Sequence, residues 1–185
     1  MSSLTESLST ENVVASTSIG QEVNLEALAD DLEEVNFDPE NFPGLVYRTQ
    51  NPKAASLIFR SGKIVCTGAS SVQDVEDGIT QTFNTLRDLG LEVPNNPEFT
   101  IQNIVTSGDL GERLNLNAIA IGFGLENVEY EPEQFPGLVY RSDELDVVSL
   151  LFGSGKMVIT GAKNPEDAEN AIENVATRLE ELGLV

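Results

Sequence analysis

Residues 39–69 read PENFPGLVYRTQNPKAASLIFRSGKIVCTGA, and residues 132–162 read PEQFPGLVYRSDELDVVSLLFGSGKMVITGA. The two align without a gap at an offset of 93, with 19 of 31 positions identical, so the chain is an internal duplication. The match extends outward in both directions. Asn12-Val13-Val14 pairs with Asn103-Ile104-Val105 and residues 25–29 pair with 116–120, both at an offset of 91. The second copy therefore carries two extra residues near 121–125. Downstream, Leu89-Gly90-Leu91 pairs with Leu182-Gly183-Leu184. The 185 residues divide into a flexible tail over 1–10, a repeat over 11–93, a Pro-Asn-Asn-Pro link over 94–97 and a second repeat over 98–185.

Each repeat reads as the same order of elements. Residues 12–18 and 100–107 are rich in β-formers and predict strands. Short helices are expected over 25–32 and 114–121, and strands over 45–48 and 138–141 after a Phe-Pro-Gly turn. A hairpin over 55–60 and 63–67, closed by Ser61-Gly62, has its twin over 148–153 and 156–160. A long helix follows. Ser71 opens a Ser-x-x-Asp cap, and Val72, Val75, Ile79, Phe83 and Leu86 form one stripe. In the second copy Asn164 caps, Pro165 takes the first helical position, and Ala168, Ile172, Val175 and Leu179 form the stripe. Gly90 and Gly183 end the helices. The pattern is α+β, twice.

The hairpin strands alternate and so have two faces. One carries Leu57, Phe59, Lys63, Val65 and Thr67, matched by Leu150, Phe152, Lys156, Val158 and Thr160. The other carries Ile58, Ile64 and Cys66, matched by Leu151, Met157 and Ile159. Two helices per repeat can cover one face. The aliphatic second set is the better core, which leaves the first set open as a binding surface. The alternative is a sandwich in which the two repeats bury that surface against each other, at the cost of enclosing Lys63 and Lys156. Phe42 and Phe135, each before Pro-Gly, read either as local core plugs or as further members of the open face.

The chain has 10 Lys and Arg against 31 Asp and Glu, a net charge of −21. Acidity normally argues against nucleic acid, whose phosphates are bound by Lys and Arg. Here the acids are spread over all polar positions, which fits a protein living in molar salt, where the Debye length falls to about 3 Å. Six of the cations, Arg48, Lys53, Arg60, Lys63, Arg141 and Lys156, fall in or beside the sheet strands. With no histidine and one cysteine, Cys66, the usual zinc sites, disulfide frameworks and His-dependent nucleophile pairs are excluded. Ser61-Gly62-Lys63 lacks the glycine spacing of a phosphate loop, and Gly122-Phe123-Gly124 fails the dinucleotide pattern. Asp30, Asp31, Glu33 and Glu34 read as a solvated acidic helix end. No cofactor and no enzymatic activity are expected. The N-terminus has no secretory pattern and no apolar run is long enough to span a membrane, so a cytoplasmic location is expected.

The repeated N-[IV]-V, F-P-G-L-V-Y-R and L-[IL]-F-x-S-G-K-x-V-x-T-G-A strings resemble the core of the TATA-box-binding protein family, over residues 11–185, in the acidic form of salt-loving archaea. The resemblance implies a curved ten-stranded antiparallel sheet, a saddle, with four helices on its convex face and the concave face on the DNA minor groove. It implies a general transcription initiation factor that binds the TATA element of double-stranded DNA and bends it. Phe42 with Phe59, and Phe135 with Phe152, are then the wedges that unstack base steps. Asn12, Asn103, Thr67 and Thr160 are the central polar contacts to bases, and Val14, Val105, Leu57, Leu150, Val65 and Val158 the apolar floor. Arg48, Arg141, Ser61, Ser154, Lys63 and Lys156 contact phosphates. Glu131, Glu133 and Gln134 recruit transcription factor B, and RNA polymerase follows indirectly. Gly153 stands where the first copy has Arg60. A different reading of the same open face is a duplicated α+β module that holds an apolar small molecule.

Overall fold

The computed structural model describes residues 2–185, with side chains from Leu4 onward. It divides into two compact units, Asn12–Gln102, and Asn103–Val185 together with Met1–Glu11. The first elements along the chain are α1 (Ser2–Glu6) and β1 (Ser9–Ser18).

The unit Asn12–Gln102 continues from β1 through α2 (Leu25–Asp31), β2 (Val35–Phe37), β3 (Leu45–Gln50), β4 (Lys53–Ile58), β5 (Lys63–Ala69) and α3 (Val72–Asp88). Its antiparallel strands lie in the order β2-β3-β4-β5-β1. Val13, Ala15, Leu45, Ala54, Ile58, Ile64, Cys66 and Ala69 are buried, and so are Val75, Ile79, Phe83 and Leu86 of α3. The 3.6-residue stripe of α3 thus covers one face of a period-2 sheet. Ser71 Oγ accepts from Asp74 N at 3.0 Å, the cap its sequence predicts. Gly78 lets α3 approach closely, since a Cβ there would lie 3.2 Å from Ala54 Cβ and 3.5 Å from Cys66 Sγ. The polar atoms in this layer are matched: the Ser56 and Thr82 hydroxyls are 2.8 Å apart, and Thr82 donates to Gly78 O.

The other unit repeats the plan with β6 (Thr100–Asp109, from Asn103 onward), α4 (Leu116–Phe123), β7 (Val128–Glu129), β8 (Leu138–Arg141), β9 (Val148–Leu151), β10 (Lys156–Ala162) and α5 (Pro165–Glu181). The strand order is β6-β10-β9-β8-β7. Pro165 opens α5, and the Asp167 carboxylate accepts from the backbone N–H groups of Lys163 and Asn164. Ala168, Ile172, Val175 and Leu179 form its buried stripe.

Several expectations shift. Four helices were implied; α1 is a fifth, inside the stretch expected as a tail, and it packs on α5. Ser7 holds the segment down, its Oγ accepting from Asp109 N at 2.9 Å. β2 and β7 are only three and two residues long, too short to show alternation. β4 and β9 end at Ile58 and Leu151, so Phe59 and Phe152 lie beyond them. The reason is a tight turn: Gly62 N donates back to Phe59 O and Gly155 N to Phe152 O, both at 2.9 Å. Gly62 and Gly155 have φ of 93° and 95°, and a Cβ on either would lie 2.1 Å from the carbonyl oxygen of Gln21 or Glu112. Only glycine fits there. α4 starts at Leu116 and not 114 because Asn115 caps it, accepting from Ala118 N. No helix among the described residues is long and apolar enough to cross a membrane.

Candidate nucleic-acid interface

Alternation sorts the strands of each unit into two faces, and burial shows which is which. In the unit Asn12–Gln102, Leu57 pairs across the sheet with Val46 on one side and Val65 on the other, while Ala55 pairs with Arg48 and Thr67. The other unit repeats both rows: Leu150 pairs with Val139 and Val158, and Val148 with Arg141 and Thr160. The aliphatic members of these rows, with Val14 and Val105, are half-buried, unlike the fully enclosed residues of the helix-covered face. A sandwich would enclose them and would enclose Lys63 and Lys156, which are exposed. Lys63 and Lys156 are thus not enclosed, as a sandwich core would require. Val46, Ala55, Val139 and Val148 belong to these faces although the sequence reading left them out. The same period-2 alternation would have found them.

At one end of each face sits an aromatic pair. Phe42 and Phe59 meet edge-on with centroids 5.8 Å apart, and Phe135 and Phe152 at 5.9 Å. Phe42 and Phe135 are exposed, at 37% and 42%, so neither is a core plug. The rings rest on bare glycine. A Cβ on Gly44 would lie 2.8 Å from Phe42 and 3.0 Å from Phe59, and one on Gly137 2.6 Å from Phe135 and 2.9 Å from Phe152. The sequence shows these glycines only as turn formers. Their seat is a packing relation between residues 15 positions apart, which no local pattern displays.

Asn12 and Asn103 are each clamped in one orientation. Gly68 N donates to Asn12 Oδ1 at 2.7 Å, and Gly161 N to Asn103 Oδ1 at 2.6 Å. The amide nitrogens then point the other way and donate to Thr67 Oγ1 and Thr160 Oγ1 at 3.3 and 3.2 Å. Each nitrogen has two hydrogens, so one N–H per asparagine is left over. These clamps sit where register breaks in the β1–β5 and β6–β10 pairings.

The cations lie around these elements. Arg48, Ser61, Lys63, Ser154 and Lys156 are exposed, and Arg141 is 3.5 Å from Glu129. Arg60 donates to Glu26 at 2.9 Å, with both side chains 60% exposed. That hydrogen bond holds the Glu26 carboxyl below its ordinary range and raises the Arg60 guanidinium. Burial pushes the Cys66 thiol up, consistent with an inert core cysteine. Clefts of about 810 and 520 Å³ border the two faces. One is lined by Ser16, Ser18, Ser61 and Lys63, the other by Ser107, Phe152, Ser154 and Lys156. Glu131, Glu133 and Gln134 are exposed on the turn before Phe135, where Gln134 N and Phe135 N both donate to Glu131 O. No group of His, Cys, Asp and Glu among the described residues could hold a metal ion.

The open face and its aromatic pair thus recur in both units. Residues 7–89 and 98–182 match the family model of Transcription factor TFIID (or TATA-binding protein, TBP). The chain belongs to this family of transcription factors, which are not enzymes. It is 65% identical over 180 residues to TATA-box-binding protein E of Halobacterium salinarum, covering 97% of both chains. It is 66% identical to the TATA-box-binding protein of Natronomonas pharaonis, covering 97% of this chain and 96% of that one. The solved structure of Methanococcus jannaschii TBP matches with a TM-score of 0.84 at 50% identity, covering 94% of this chain and 98% of that one. The α+β fold is therefore that of the family.

Proposed function

We propose that the chain is a general transcription initiation factor that binds the TATA element of double-stranded DNA through the open sheet faces of its two repeats. The observation that carries this reading is the clamped asparagine set in an apolar floor, twice. The minor groove of A·T pairs presents acceptors only, adenine N3 and thymine O2, whereas G·C adds the guanine amino donor. The leftover N–H of Asn12 and Asn103 suits those acceptors and has nothing to offer an amino group. An aliphatic floor of Val14, Leu57, Val65 and their twins cannot satisfy a buried guanine amino group, which makes G·C costly. The names of the relatives support the same ligand.

Phe42 with Phe59, and Phe135 with Phe152, insert between base steps and bend the duplex. Arg48, Arg141, Ser61, Ser154, Lys63 and Lys156 hold phosphates and set position without reading sequence. Glu131, Glu133 and Gln134 receive transcription factor B, through which RNA polymerase is recruited, in the cytoplasm. The test is a gel shift in molar potassium chloride with a TATA-containing duplex and a G·C-substituted control. Selective retardation of the TATA duplex is expected, and equal weak binding to both would overturn the reading.

A further inference from the structure

The two hairpin tips are Phe59-Arg60-Ser61-Gly62-Lys63 and Phe152-Gly153-Ser154-Gly155-Lys156. They differ at one position, and their backbones are the same. Phe59 N donates to Lys63 O at 2.9 Å and Phe152 N to Lys156 O at 3.0 Å. Val23 N donates to Arg60 O at 2.9 Å, and Leu114 N to Gly153 O at 3.0 Å. Gly153 is not glycine out of need. Its φ is not positive, and a Cβ there would meet only Leu114 O at 3.9 Å, an ordinary contact. An arginine would fit. The partner changes as well: Glu26, which holds Arg60, is matched at the offset of 91 by Asn117. A charged pair in one repeat thus faces a neutral, side-chain-free position in the other.

Resting on the function proposed above, we infer that Arg60 is a phosphate-binding residue present on one hairpin only, and that it biases which way round the chain sits on a near-symmetric A·T site. Arg60 lies between the wedge Phe59 and the phosphate residue Ser61. A guanidinium is a planar fork that grips a phosphate through two parallel N–H groups. Its partner Glu26 is exposed to water, so the pair contributes little to the fold and the guanidinium is free to transfer to a phosphate. Glu26 meanwhile keeps it beside the hairpin tip. In the other repeat Gly153 offers nothing in this role. The hairpin bearing Arg60 therefore holds the backbone beyond its kink more firmly. On a duplex whose two ends differ in how easily they kink, the firmer hairpin selects one end.

The experiment uses full-length chain with Gln73→Cys carrying a dye. Gln73 is exposed and Cys66 is buried, so the label goes to one place. Energy transfer to a second dye at either end of a TATA duplex reports the orientation ratio. Wild type should favour one orientation, Gly153→Arg should bring the ratio toward one, and the swap Arg60→Gly with Gly153→Arg should invert it. Arg60→Gly alone should shift the slope of log affinity against log salt upward by about 0.9, the loss of one phosphate contact. Urea midpoints should stay at the wild-type value in all variants. An unchanged orientation ratio in the swap and an unchanged slope in Arg60→Gly, with TATA binding intact, would overturn this inference and leave the proposed function standing. Absence of A·T-selective binding by wild type would overturn both.

Discussion

Gly137→Ala isolates the aromatic seat from everything else in the interface. The new methyl would stand 2.6 Å from Phe135 Cε2 and 2.9 Å from Phe152 Cε1. Carbon contacts are most favourable at about 3.5–4.0 Å, so the ring edges must retreat by about 1 Å. The alanine itself is unstrained, because φ at 137 is not positive. Phe135 is 42% exposed and can swing toward water. The unfolding free energy should therefore change by less than about 1 kcal/mol, under the roughly 1–3 kcal/mol of an overpacked core. DNA binding has no such escape, since both wedges lose the position from which they insert. Affinity for a TATA duplex should fall about tenfold, or about 1.4 kcal/mol. Urea unfolding followed by circular dichroism, beside fluorescence anisotropy in molar potassium chloride, measures both quantities. A stability loss of about 3 kcal/mol with unchanged affinity would mean that the rings are core and the reasoning is wrong.

Phe152→Ala should abolish most binding at a stability cost well below the roughly 3–5 kcal/mol expected for the fully buried Phe83→Ala; equal costs in urea would refute the face assignment. Asn12→Asp keeps the acceptor for Gly68 N but removes the outward N–H, so TATA affinity should drop at least about tenfold while the fold survives; retained affinity by anisotropy would refute the donor role. Burial raises the Cys66 thiol, so its stabilising effect is complete below the unfolded thiol value of about 8.5 and fades as pH rises through it toward the folded value. The stability gap between wild type and Cys66→Ala should narrow above that pH, and parallel curves would contradict this. With a net charge of −21, binding should be weak near 0.1 M salt and strengthen toward molar salt as repulsion is screened; a steady loss of affinity by folded protein would refute it.

The duplication and the faces were legible because both are periodic. Leu57, Phe59, Val65 and Thr67 alternate with Ile58, Ile64 and Cys66, and burial follows that alternation residue by residue. The Ser71 cap was legible because its partner is three residues away. What escaped is what depends on distant contacts. α1 is short and polar, and its place comes from packing on α5 and from Ser7 reaching Asp109. The clamp of Asn12 joins residues 56 apart, and no spacing rule announces it. The resemblance pointed to Asn12 as a contact, but not to the glycine N–H that orients its amide. Gly44 and Gly137 were read as turn formers, and their second use as ring seats exists only once Phe59 and Phe152 have been brought over them.

Open faces that read the minor groove must sense its one distinguishing donor, the guanine amino group. Inosine tests this most directly. An I·C pair lacks the guanine amino group and so presents an A·T-like minor groove, while its major groove keeps the G·C pattern. Affinities in molar potassium chloride should be compared for one TATA duplex, the same duplex with every A·T replaced by I·C, and the same with G·C. The I·C duplex should bind within about threefold of the TATA duplex, and the G·C duplex at least about a hundredfold more weakly, the order of two mismatched base pairs. If the I·C duplex behaves like the G·C one, the chain reads the major groove or no groove at all, and the assignment of the open faces is contradicted.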